Sequence, residues 1–240
     1  VSDQLPVPTE ADGAALFEAE ANGRALMCTV DEAEQRAIGF APLDRGPDLP
    51  PFPQQQASYD DPVVVAAGRR LVERGLAEDL PTDHWAVQAS GPLLAWFVGH
   101  VLPAHRSFVI SVHREPDVVA RRRRRVTLVG GNMSIVEYLD IPIDAGGEPL
   151  PVRIEAVRRD VLVEEIVSTA FEPRQQGQQL TVDLVTTAAH GPARFVADHE
   201  VAGLSTTGHG LRGKSERTRR IDAAGYRTYV MGLVTELAAQ

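Results

Sequence analysis

Ser107 to Val112 (Ser-Phe-Val-Ile-Ser-Val) and Arg125 to Val129 (Arg-Val-Thr-Leu-Val) are joined by a polar connection that ends in five consecutive arginines, Arg121 to Arg125. β-Branched and aromatic residues suit the pleated, half-buried surface of a strand, so this stretch reads as a long hairpin with a basic tip. Gly130-Gly131-Asn132 is a strong turn signal. Beyond it, Met133 to Leu139 alternates, with Ile135, Glu137 and Leu139 on one face and Val136 and Tyr138 on the other. A three-strand antiparallel meander is the expected result. Leu150 to Val157 continues it as a fourth strand, and Asp160 to Phe171 follows as a helix with Val161, Leu162, Ile166, Ala170 and Phe171 inward and Glu164 and Glu165 toward solvent.

Upstream, Ala14 to Ala21 carries helix formers and Ala25 to Val30 reads as a strand after the Asn22-Gly23 turn. Ala41 to Ser58 shifts to Pro, Gly, Asp and Gln, the composition of a connector. Asp61-Pro62 then opens a helix, Asp as N-cap and Pro at the first helical position, and Gly75 closes it. Asp83 to Ala89 reads as a second short helix, and Gly91-Pro92 begins a third that ends at Pro103. Three helices and then a hairpin is the order of a winged helix.

Downstream, Leu180 to Ala189 fits a strand by content and a helix by spacing. From Asp198 the first pattern recurs: a strand over Glu200 to Ser205, a glycine-rich turn over Gly208 to Lys214, the basic residues Arg217, Arg219 and Arg220, and a return strand over Thr218 to Ile221. Ala223-Ala224-Gly225 then turns into a strand over Tyr226 to Met231, and Leu233 to Ala239 closes the chain as a helix. The fold expected is α+β: an antiparallel sheet with helices packed on one side, built from two pseudo-twofold related halves, the first with a winged-helix-like start. Residues 1–58 form an N-terminal segment and connector, 59–172 the first half and 173–240 the second.

At 240 residues the chain buries a full core without staples. The single cysteine, Cys28, excludes an internal disulfide and points to a reducing compartment. No apolar run reaches the roughly 20 residues of a bilayer helix, and the acidic Val1 to Glu20 has no signal pattern. A soluble cytoplasmic protein is expected, as a monomer or weak homodimer. The net charge of −9 opposes nonspecific attraction to nucleic acid or anionic membrane.

Chemical motifs are sparse. The seven histidines fall at loose intervals, without a tight pair on one helix turn or strand, so no metal is expected. Asp198-His199-Glu200 places acid and base on opposite faces of a strand, where they cannot act together. There is no Gly-x-Ser-x-Gly elbow, Cys28 has no histidine nearby in sequence, and Gly213-Lys214-Ser215 lacks the spacing of a P-loop. No cofactor is expected, and an enzyme of unrecognised type is the weakest alternative. Arg121 to Arg125 on a wing would lie along a DNA backbone. Yet Leu76 through Ala104, where a recognition helix would sit, contains neither Lys nor Arg. A DNA-binding regulator is therefore the second reading. Val118 and Val119, between Asp117 and the arginine run, either continue the hairpin and pack on a neighbouring helix or form an exposed apolar pair rimmed by charge, the composition of a protein-recognition loop. Asp117, Val118, Val119, Arg121, Arg122, Arg123, Arg124 and Arg125 are the partner-binding candidates.

Three further stretches carry a family resemblance. Ala66 to Leu76 (Ala-Ala-Gly-Arg-Arg-Leu-Val-Glu-Arg-Gly-Leu) is similar to a helix ending in Arg-Gly-Leu. Val152 to Val157 with its helix through Phe171 is similar to the strand and helix that close a first half. Asp222-Ala-Ala-Gly-Tyr-Arg227 is similar to an Asp-x-x-Gly-Arg-Tyr ending. Together with the arginine-rich hairpin they resemble the actinobacterial EspG family, cytosolic chaperones of type VII (ESX) secretion, over Asp61 to the C-terminus. The resemblance implies a non-enzymatic adaptor that covers the apolar helical tip of a secreted PE–PPE-type substrate.

Overall fold

The computed structural model describes residues 13–38, 61–80, 86–92, 106–115, 120–142, 151–174, 176–186, 193–198, 201–210 and 213–239. Among the described residues, nine strands form one antiparallel sheet, whose order across the sheet is β1 (Arg24–Val30), β7 (Val152–Arg158), β6 (Met133–Pro142), β5 (Ala120–Leu128), β4 (Ser107–Glu115), β8 (Gln179–Thr186), β9 (Ala193–Ala197), β10 (Ala202–Gly210) and β11 (Gly213–Arg220). β4 (Ser107–Glu115), β5 (Ala120–Leu128), β6 (Met133–Pro142) and β7 (Val152–Arg158) run as a meander. Helix α4 (Arg159–Ala170) follows directly. β8 (Gln179–Thr186), β9 (Ala193–Ala197), β10 (Ala202–Gly210) and β11 (Gly213–Arg220) form a second meander, followed by helix α5 (Ala223–Ala238). The two units meet where β4 and β8, the first strand of each, pair antiparallel. Four strands and a helix, twice, is thus a pseudo-twofold topology. The class is α+β.

The repeat differs from its expected phase. The second unit begins at β8, since Leu180, Val182 and Leu184 alternate into the core against Thr181 and Asp183. The described part of the ambiguous segment, Leu180 to Thr186, is therefore strand. Tyr226 to Met231 is helix, not strand. Asp222 caps α5 by accepting from the Gly225 amide at 2.8 Å, and Tyr226, Val230, Leu233, Val234 and Leu237 fall on one buried helical face. A Cβ on Gly225 would come within 3.0 Å of the capping carboxylate, so Asp-x-x-Gly marks a helix start here.

α4 and α5 share one face of the sheet. Their core joins Phe108, Ile110, Val126, Val136 and Val157 of the first meander to Leu180, Phe195 and Leu204 of the second. The opposite face of the β1–β7–β6 end carries a second core beneath α1 (Ala14–Asn22), α2 (Glu32–Ala37) and α3 (Pro62–Glu73). Helices therefore lie on both faces and not on one. Alternation explains it: Ile135, Ile154 and Ala156 point to this second layer while Val136 and Val157 point to the first. The N-terminal segment is tied into the sheet through β1 (Arg24–Val30), which pairs with β7. Gly23 makes the turn from α1 into β1 at φ 87°, where a Cβ would also meet Val161 Cγ2 of α4 at 3.0 Å.

α3 begins and ends as its sequence indicates, with Asp61 accepting from the Val63 amide and Gly75 at φ 68°. α2 was not foreseen, although Asp31 and Glu34 form a reciprocal capping box. The winged-helix start is corrected. α3 leads into a two-strand sheet, β2 (Ala77–Leu80) with β3 (Ala86–Ala89), so the stretch expected as a second helix ends as a strand. The third expected helix, the Pro-rich connector, and Asp117, Val118 and Val119 lie outside the described residues.

Candidate functional site

The arginine run is not a tip. Residues 121–125 lie within β5, between β4 and β6 in the body of the sheet. Arg121 and Arg122 oppose Ile141 and Asp140 of β6, and Arg123 opposes Leu139 on that side and Ser111 of β4 on the other. This uninterrupted polar run contains none of the β-branched residues that mark a strand in a sequence. Its period-two consequence is that Arg124 and Arg125 serve opposite faces.

On the α4 face, Arg124 is ion-paired with Glu165 of α4, and Arg24 of β1 reaches the same carboxylate. Arg24 also lies 3.5 Å from Glu155 of β7, whose other oxygen is 3.1 Å from Arg153. Tyr138 of β6 sits amid these groups, with the Arg153 guanidinium 4.2 Å and the Arg124 guanidinium 5.0 Å from its ring centroid. Cation–π contacts of this kind contribute about 0.5–2 kcal/mol each. Glu165, expected to face solvent, is therefore turned onto the sheet, while Glu164 is exposed and pairs with Arg227 of α5. The cluster locks β1, β5, β6 and β7 to α4. It consumes the charge of Arg124 internally, so that guanidinium is not presented to a partner.

Burial pushes the Tyr138 hydroxyl up to about 12, with Glu165 and Glu155 adding to the rise and Arg24 and Arg124 opposing it. The unfolded chain ionises at about 10. The folded state thus holds a proton that the unfolded state releases between the two values, and the contribution of Tyr138 to stability is complete below pH 10 and lost as pH rises through 12. Tyr138→Phe should make that alkaline decline shallower, read as urea midpoints at about pH 9 and about pH 11. An unchanged decline would show that Tyr138 is not among the groups responsible.

On the other face, Arg125 and Glu137 oppose each other across β5 and β6 and are both buried. Burial lowers the Arg125 pKa against the pull of Glu137.

No family model matches this chain, and no curated protein does. Sequence comparison therefore assigns no chemistry, and the residues themselves must carry it. Burial pushes the Cys28 thiol up to about 12, opposed by Arg74, which disfavours a thiolate nucleophile. Among the described residues, no group of three or more His, Cys, Asp and Glu side chains is placed to hold a metal. His113 is 4.0 Å from Asp183, which Arg194 holds at 2.7 Å. That carboxylate is engaged by a cation. No described helix is long and apolar enough to cross a membrane.

Proposed function

We propose that this protein is a non-enzymatic cytosolic adaptor or chaperone of the EspG kind, binding the apolar helical end of a secreted PE–PPE-type partner. The observation that carries the reading is the closure of each meander. β7 runs into α4 and β11 into Asp222-capped α5, and these two units hold two of the stretches that carry the resemblance, Val152 to Phe171 and Asp222 to Arg227. The DNA-binding alternative loses its geometric premise, because Arg124 and Arg125 are sheet residues directed to Glu165 and opposite Glu137.

In this reading Val118 and Val119 contact the partner's apolar end, while Asp117 and Arg121 to Arg123 flank them and set orientation. The test is co-expression with a helical PE–PPE-type pair, followed by size-exclusion chromatography of wild type, a Val118→Ser/Val119→Ser variant, and an Arg121→Ser/Arg122→Ser/Arg123→Ser variant. Wild type should elute with the pair and the valine variant should not, at unchanged melting temperature. The arginine variant should associate more slowly, with residence time little altered. Absence of a wild-type complex would overturn the proposal; equal capture by all three proteins would move the binding surface elsewhere.

A further inference from the structure

β11 is the end of the sheet, and among the described residues no strand pairs with its outer side. The Ile221 amide donates to the Ala202 carbonyl at 3.0 Å, which fixes the phase of the β10–β11 ladder. Backbone groups in an antiparallel pair alternate between the partner and the far side. Those of Thr218 and Arg220 therefore face the open edge. The Asp198 amide, donating to the Val201 carbonyl on the other side of β10, gives the same phase.

Beside this edge, on the α5 face, is an open groove of about 690 Å³. Val201, Ile221 and Tyr229 give much of its apolar lining, and Arg219, Arg220 and Thr228 are among its polar walls. Val201 is 40% exposed. Arg219 and Arg220 are exposed, and neither pairs with a carboxylate among the described residues. Asp222, the carboxylate in the lining, accepts from the Gly225 amide. β11 carries Lys214, Arg217, Arg219 and Arg220 against Glu216, on a chain whose net charge is −9. A cationic edge against that acidic average selects an anionic partner.

We propose that β11 and this groove take an extended acidic segment of a partner protein by strand addition. The segment's backbone pairs with Thr218 and Arg220. Arg219 opposes Leu204, a core residue on the α5 face, so Arg219 and Arg220 serve opposite faces of the edge. Adjacent carboxylates on the segment therefore meet the two arginines. A residue two positions from the one opposite Arg219 shares its face and lies over Ile221, where an apolar side chain seats in the groove. The recognised pattern is acid, acid, apolar, read in either chain direction. This surface is remote in sequence from residues 117–123, and its test is independent of the chaperone reading. A charged edge that merely prevents aggregation needs no such groove and binds no peptide.

The test pans a display library of random octapeptides against the full chain and follows the best-enriched peptide by fluorescence anisotropy. Acid-acid-apolar triplets should be enriched, and Arg219→Glu/Arg220→Glu should weaken binding at least about tenfold. With the wild-type protein, N-methylating alternate peptide amides should weaken binding by about tenfold in one phase and leave it intact in the other, as strand pairing requires. No enrichment over the charge-reversed protein would overturn the proposal. So would equal tolerance of N-methylation in both phases, the signature of simple polyanion attraction.

Discussion

Phe195→Ala is expected to cost about 3–5 kcal/mol, the usual range for emptying an aromatic site in a packed core. The residue is fully buried in β9, with its ring 5.1 Å from Phe171 and 4.6 Å from Tyr226. Phe171 closes α4, which belongs to the first meander, and Tyr226 opens α5, which belongs to the second. The three rings, with Phe171 and Tyr226 6.0 Å apart, are thus a joint between the halves as well as a piece of core. Tilted aromatic pairs add about 0.5–1.5 kcal/mol beyond their area, which favours the upper part of the range. Since domains are stable by only about 5–15 kcal/mol in total, the variant should unfold at a much lower urea concentration. Leu26→Ala, at a site 57% exposed on β1, is the control and should change little. A Phe195→Ala cost below about 1 kcal/mol would mean that the two halves do not share this core.

The fold was legible wherever local chemistry and packing agree. Ser107 to Val112, Met133 to Leu139 and Val152 to Val157 alternate because each has both faces assigned, and the structure places each in a strand. Asp61-Pro62 and Gly75 bound α3 because caps act within a few residues. The failures share a cause as well. Arg121 to Arg124 gives no apolar alternation, and the inward charge of Arg124 is satisfied by Glu165, 41 residues away on another element. Tyr226 to Met231 has β-type content, and the Asp222 cap and the buried face of α5 override that preference. The edge groove was missed because β11 reads as a polar return strand. Its meaning comes from Val201 and Tyr229, which tertiary structure alone brings to it. Only the capping box at Asp31 and Glu34 was a local signal passed over.

Glu137→Leu is expected to destabilise by about 3–5 kcal/mol, and Arg125→Met/Glu137→Leu to recover most of that loss. The two residues are 1% and 6% exposed, Glu137 and Arg125 respectively, and face each other across β5 and β6. Removing Glu137 alone strands a buried guanidinium whose charge nothing at that register replaces. The cost is then desolvation without attraction, the most expensive outcome for a buried ion. The pair itself is a different matter. Arg125 Nη1 lacks a hydrogen-bond partner among the described residues, so the attraction to Glu137 does not fully offset the water that the guanidinium has given up. Val109 opposes Arg125 on the β4 side, and Ile135 precedes Glu137 on its own face. An apolar pair therefore continues a surface that is already apolar. Urea unfolding of wild type, both single variants and the double variant closes the cycle. A coupling near zero, with the double variant as unstable as the sum of the singles, would show that Arg125 and Glu137 do not sense each other. Strong coupling with a double variant near wild type would show that an apolar pair serves this position as well as the ionic one, and that the cost of Glu137→Leu lies in the charge it leaves behind on Arg125.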